Sequence, residues 1–167
     1  MSIVNCDIDL TSLQDVFLPP AAADGERYAE DLYQARILIE QETARLAAAR
    51  RTPEDLQTLA EPLAAMRAAG EGGGGEADVA RYADADIAFH RTIARMAGNA
   101  VLEKLFGLLA AELGPLVATS TRTRDHRQAS LEWHERLYDH IRKGHARAAA
   151  TAMAEHLSTC RRAYRKN

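Results

Sequence analysis

Residues 84–99, DADIAFHRTIARMAGN, read as part of a helix whose apolar face is interrupted by charge. Val79, Tyr82, Phe89, Ile93 and Met96 recur at steps of three and four, the spacing that lines side chains up on one face of an α-helix. Asp86 and His90 fall on that same stripe. A carboxylate or an imidazole turned into a core is costly unless it meets a partner there. Whatever fold this chain adopts must therefore bring other polar groups to the buried side of this helix.

The rest of the sequence supplies helices for that purpose. In 167 residues, 47% are hydrophobic and 27% charged, aromatics are scarce, and β-branched runs are nearly absent, so an all-α fold is expected. Glu26 to Arg50 is rich in strong helix formers, with Leu32, Ile39 and Leu46 on one side and Tyr33, Ile37 and Ala44 beside them. Thr52-Pro53-Glu54-Asp55 opens a second helix with an N-cap, a proline and two acids. It runs past a kink expected at Pro62 to the flexible GEGGGGE loop. A third covers about 77–97 and ends at Gly98, and a fourth starts near Asn99 and is expected to bend at Gly114-Pro115. The polar segment TRTRDHRQAS can be helix or loop. A fifth helix spans about 128–143, stopped by Gly144, and a sixth about 145–165. Short connections between six helices imply an antiparallel helical bundle. Residues 1–25 fit this pattern poorly and are read as an N-terminal arm, leaving 26–167 as the domain proper.

Charge and cysteine content narrow the function classes. The formal charge of −3 lacks the basic excess of a stand-alone DNA-binding module. The basic ending RRAYRK is what a helix dipole favours in a last turn. Cys6 and Cys160 have no paired spacing, the N-terminus is unlike a signal peptide, and no apolar run approaches a membrane span. A soluble cytoplasmic protein is expected.

Three of the six histidines face the expected core. His90 is one. His134 lies on the stripe of Leu131, Leu137, Tyr138 and Ile141, and His156 on that of Met153, Leu157, Cys160 and Tyr164. His140 turns to the charged side, His145 stands near a helix start, and His126 falls in the polar connector. Asp86 and His90, four residues apart, suit gripping one ion from a single helix, and His134 and His156 could complete the shell from two others. Three imidazoles and a carboxylate suit zinc, nickel or another borderline first-row metal, with positions left open. The competing reading pairs each histidine with a backbone carbonyl and Asp86 with Arg36 or another base.

Taken together, DLYQARILIE, DIAFHRTIARMAGN, WHERLYDHIRKG and AAATAMAEHL resemble the FCD domain, the C-terminal ligand-sensing domain of the FadR subfamily of GntR-type bacterial transcription regulators. The resemblance covers roughly residues 26–166. It implies an antiparallel bundle of six to seven helices, a divalent metal held by Asp86, His90, His134 and His156, and a small organic acid bound beside it. It also implies a homodimer and places Arg36 where a guanidinium faces the cavity, a sound carboxylate receptor. The alternative for Arg36 is an exposed i, i+4 pair with Glu40. Asn99 either lines the cavity or caps the fourth helix.

Three features depart from the family pattern. No winged helix-turn-helix precedes the bundle, so no DNA-binding domain and no direct nucleic-acid contact are expected of this chain. IDLTSLQDVF resembles the usual entry to the first helix, yet PPAAADGE and a second entry follow it. His145 stands where the family commonly has an aspartate cap. A sensor is the leading function; a metal-dependent hydrolytic or other enzyme on the same bundle is the alternative, since a metal with an open position can activate water. No histidine has a glutamate three residues before it, which sets the chain apart from ferritin-like di-metal bundles. A plain helical interaction module would leave the four polar core residues unexplained.

Overall fold

The structure, a computed structural model, describes residues 25–72 and 74–165. They form six α-helices: α1 Gly25–Arg50, α2 Pro53–Glu71, α3 Glu76–Met96, α4 Ala100–Ser120, α5 Arg124–Lys143 and α6 Ala146–Tyr164. No strand occurs among the described residues. The expected N-terminal arm lies outside them, apart from Gly25.

Local chemistry sets the boundaries. Thr52 caps α2 in a reciprocal capping box with Asp55, each side chain taking the other's backbone N–H. Asn99 caps α4 by accepting from the N–H groups of Val101 and Leu102. α5 begins four residues before its expected start, because Thr123 accepts from the His126 N–H and caps it there. His126 therefore sits in the first turn of α5, and only Thr121 to Thr123 connect it to α4. Gly144 ends α5 at φ +75°, a left-handed turn that costs glycine nothing, and the His145 N–H then reaches back to the His140 carbonyl. His145 makes no side-chain cap for α6. α2 continues through Pro62 and α4 through Pro115.

α1 packs mainly along α6 and α2 along α3, while α3 also lies against α4 and α1. The largest apolar cluster joins Leu59, Leu63 and Met66 of α2 to Phe89 and Ile93 of α3, Leu137 and Ile141 of α5, and Met153 and Leu157 of α6. A second, formed by α3 and α4, is built on Phe106, Leu113 and Val117.

The buried face of α1 is rotated from its expected position. Ala29, Leu32, Tyr33, Arg36, Glu40, Thr43, Ala44 and Ala47 point inward. Ile39 and Leu46 are only partly buried, and Leu38 is 68% exposed. Apolar side chains surround much of this helix, so periodicity alone left its rotation undetermined. The side turned inward is the one whose polar groups find partners.

Candidate metal centre

α3, α5 and α6 meet at mid-height and bring Asp86, His90, His134 and His156 together. All four are buried, and a ligand atom from each lies within 4.8 Å of all the others. His134 Nε2 is 3.2 Å from both His90 Nε2 and Asp86 Oδ2. The His90 and His156 rings stack with centroids 5.4 Å apart, and the His134 ring stands edge-on 4.4 Å from that of His156. The edge of Phe89, 5.0 Å from His134, forms an apolar wall.

The protons decide what such a cluster can hold. His134 Nδ1 is 2.8 Å from the Ser130 carbonyl, which only accepts, so the proton sits on Nδ1 and Nε2 carries a lone pair. His90 Nδ1 is 2.5 Å from Glu40 Oε2. An ionised carboxylate repels a lone pair and attracts a proton, so His90 too is protonated on Nδ1. The two facing Nε2 atoms then present lone pairs to one another, with the Asp86 carboxylate alongside. Asp86 Oδ1 is buried and has no hydrogen-bond partner. Asp86 Oδ1 is thus left unsatisfied among three imidazoles, and a divalent cation is what this donor set fits; imidazole and carboxylate together suit borderline first-row metals.

Electrostatics favours the same charge states. Burial alone would raise the Asp86 pKa, but its close approach to His134 and the surrounding imidazoles hold it well below the usual carboxylate range. Glu40 is likewise held low against the effect of burial, chiefly by Arg36 and then by His90. Burial, reinforced by His134 and His90, depresses the pKa of His156 and keeps it neutral, as a metal ligand must be. Cys160, whose Sγ lies 3.7 Å from His156 Nδ1, is pushed up to about 12 by burial and by Asp86, so it remains a thiol.

Arg36 and Glu40 form an i, i+4 pair with Nε 2.6 Å from Oε1, but this pair is buried, at 2% and 1% side-chain exposure. It is thus not the exposed pair. Asn99 is engaged as the cap of α4. Sequence reasoning missed Glu40 as part of the centre, along with the Ser130 carbonyl and Cys160. The available signal for Glu40 was its position one turn from Arg36 on α1, but only the tertiary contact with His90 gives it meaning. A cavity of about 40 Å³ is lined in part by Ser120, Ser130, Trp133 and Cys160, and by none of the four clustered side chains. Ser130 and Cys160 each stand one helical turn from a histidine of the cluster.

Among the described residues, no helix is long and apolar enough to cross a membrane. A sequence model of the FCD domain matches residues 31–159. The chain is 31% identical to the HTH-type transcriptional regulator LutR of Bacillus subtilis over 137 residues, which cover 77% of this chain and 58% of LutR. A solved GntR structure from Streptococcus agalactiae superposes with a TM-score of 0.72 at 27% identity, covering 85% of this chain and 62% of that one. McbR/YncC of E. coli matches with a TM-score of 0.72 at 20% identity over 89% of this chain and 73% of its own, a likeness of fold. The chain spans less than two thirds of the length of LutR and of the streptococcal protein. The match over most of the bundle establishes that the chain belongs to the FCD family of GntR-type regulator domains.

Proposed function

We propose that this chain is the effector-binding domain of a FadR-type transcription regulator, holding a divalent metal through Asp86, His90, His134 and His156 and sensing a small organic acid. The observation that carries this reading is the convergence of four buried metal-ligating side chains on one point, with Asp86 Oδ1 left without a hydrogen-bond partner. A buried carboxylate oxygen without a partner costs free energy, which a bound cation would offset. Zinc or nickel fits the donor set. The regulatory role is supported by LutR, whose name is that of a transcriptional regulator, and no arrangement of residues favours the enzyme reading over it.

The charges near the centre specify the sign of the effector. Asp86 and Glu40 are held anionic and Arg36 cationic, so this buried group has one more carboxylate than guanidinium before metal binds. A divalent cation reverses that balance, and an anion then neutralises what remains. When bound, the metal supplies a Lewis-acidic contact for a carboxylate oxygen. Arg36 contributes a planar donor array suited to the same group. The cavity beside Ser130 and Cys160 has room for about two or three waters, so a larger acid enters only as the helices around it part. Binding and movement then occur together, which is the unequal affinity for two arrangements that a sensor requires. The same reading makes the protein a cytoplasmic homodimer whose DNA contact is made outside this domain.

A thermal-shift screen of zinc-loaded protein against mono-, di- and tricarboxylates tests the reading. At least one acid should raise Tm in the wild type and fail to do so in Arg36→Lys, which loses the planar fork. If no acid shifts either protein, the effector class is wrong.

A further inference from the structure

Glu40 is the one carboxylate near the centre that stands behind a ligand instead of among the ligands. It is buried, and its two oxygens are divided: Oε1 accepts from Arg36 Nε at 2.6 Å, and Oε2 lies 2.5 Å from His90 Nδ1. The approach to His90 is close but falls outside hydrogen-bond angles, so it acts through charge. The Nδ1 atoms of the three histidines are treated differently. His134 meets a backbone carbonyl, His156 only the Cys160 sulfur, and His90 a full negative charge. If Glu40 served Arg36 alone, nothing would require its second oxygen to face an imidazole.

We propose that Glu40 is a positioning residue of the metal centre, fixing His90 as the Nδ1–H tautomer so that its Nε2 lone pair points at Asp86, His134 and His156. Because its other oxygen holds Arg36, the same carboxylate ties the arginine to the metal ligands. This rests on the metal reading above. Carboxylates behind metal-bound histidines set ring orientation and basicity in this way.

Glu40→Gln gives a directional test. Arg36 can only donate, so it claims the amide oxygen and turns the amide nitrogen toward His90. His90 must then accept at Nδ1 and carry its proton on Nε2, facing the other ligands. Long-range 1H–15N correlation spectra of metal-free protein read the tautomer directly. The Nδ1–H form is expected for His90 in the wild type and the Nε2–H form in Glu40→Gln. Zinc affinity, measured by competition with a chromogenic chelator, should fall by about 10–100-fold in Glu40→Gln and recover in part in Glu40→Asp, which restores the charge.

A wild-type His90 found as the Nε2–H tautomer overturns the proposal without any variant. An unchanged tautomer with unchanged zinc affinity in folded Glu40→Gln also overturns it, while leaving the metal reading intact. A wild type that binds no zinc or nickel removes both. Should Glu40→Gln not fold, the wild-type tautomer and the zinc affinity of Glu40→Asp decide the question.

Discussion

Replacing Asp86 by asparagine is the most direct perturbation of the centre, because it removes a negative charge and a ligand oxygen at nearly constant volume. Asp86 is buried, its Oδ2 lies 3.2 Å from His134 Nε2, and its Oδ1 has no hydrogen-bond partner. A cation that binds only the folded chain stabilises it by about 2.7 kcal/mol at a concentration 100 times its Kd. For a domain of this size, 1 kcal/mol moves Tm by about 2–4 °C. Zinc added at that level to chelator-stripped, tag-free wild type should therefore raise Tm by about 5–11 °C. Residues that only support metal ligands change affinity by about 10–100-fold, and a direct ligand belongs at the upper end or beyond. At the same zinc concentration Asp86→Asn is then no more than half-saturated. Its gain is about 0.4 kcal/mol, or about 1–2 °C.

Scanning calorimetry of both proteins, with and without zinc or nickel, makes the comparison. The quantity of interest is the difference that metal makes within each protein, which cancels any effect of the substitution on the metal-free fold. An Asp86→Asn variant with the full wild-type shift would show that the carboxylate is not a ligand. A wild type indifferent to both metals would refute the donor-set argument itself.

Two further outcomes are expected. Asn99→Ala should cost about 1 kcal/mol through loss of the α4 cap, seen as a Tm lower by about 2–4 °C, with the zinc-induced and acid-induced shifts unchanged; loss of the acid shift would instead assign Asn99 to the cavity. In metal-free protein, His156 resists protonation that the unfolded chain accepts below about pH 6.5, so stability should fall from there downward. Asp86 and Glu40, held low when folded, continue the loss below about pH 4, where the unfolded carboxyls take up protons first. A Tm that rises on acidification from pH 7 to 5 would contradict the assigned charge states.

The sequence exposed different parts of this arrangement to different degrees, and the reasons are physical. α3, α5 and α6 each carry a narrow apolar stripe against a charged back, so the side turned inward follows from the residues alone. His90, His134 and His156 were identifiable as core-facing for that reason, and Asp86 with them. The helix starts at Thr52 and Asn99 and the stop at Gly144 were equally legible, because capping is a local interaction. α5 was placed four residues short because its cap, Thr123, is embedded in a polar run that gives no apolar signal. α1 was the hard case. Tyr33, Ile37, Leu38, Ile39 and Leu46 leave it without a clearly polar back, and turning Arg36 and Glu40 inward makes sense only once His90 and Asp86 are there to meet them. The contact of Glu40 with His90 thus stayed hidden, although the four candidate ligands did not.

A second buried polar group in the same bundle shows why the Asp86 cluster calls for a cation. Arg127 is as deeply buried as His90, yet its Nη1 donates to the carbonyls of Thr121 and Arg122, which close the C-terminal end of α4. The carbonyl of Arg127 in turn accepts from the Tyr82 hydroxyl. Nη1 there meets two acceptors while Nε has no partner, and the group ties three helices together as it stands. At the candidate metal centre the balance differs: His134 Nδ1 faces the Ser130 carbonyl, His90 Nδ1 lies beside the Glu40 carboxylate, and Asp86 Oδ1 has no hydrogen-bond partner. One arrangement is held by the chain's own atoms, whereas a cation would satisfy the oxygen that the other leaves unpartnered. A metal bound there would add its binding free energy to the stability of the domain, and so would couple to how firmly α3, α5 and α6 are held, and through Glu40 and Arg36 to α1 as well.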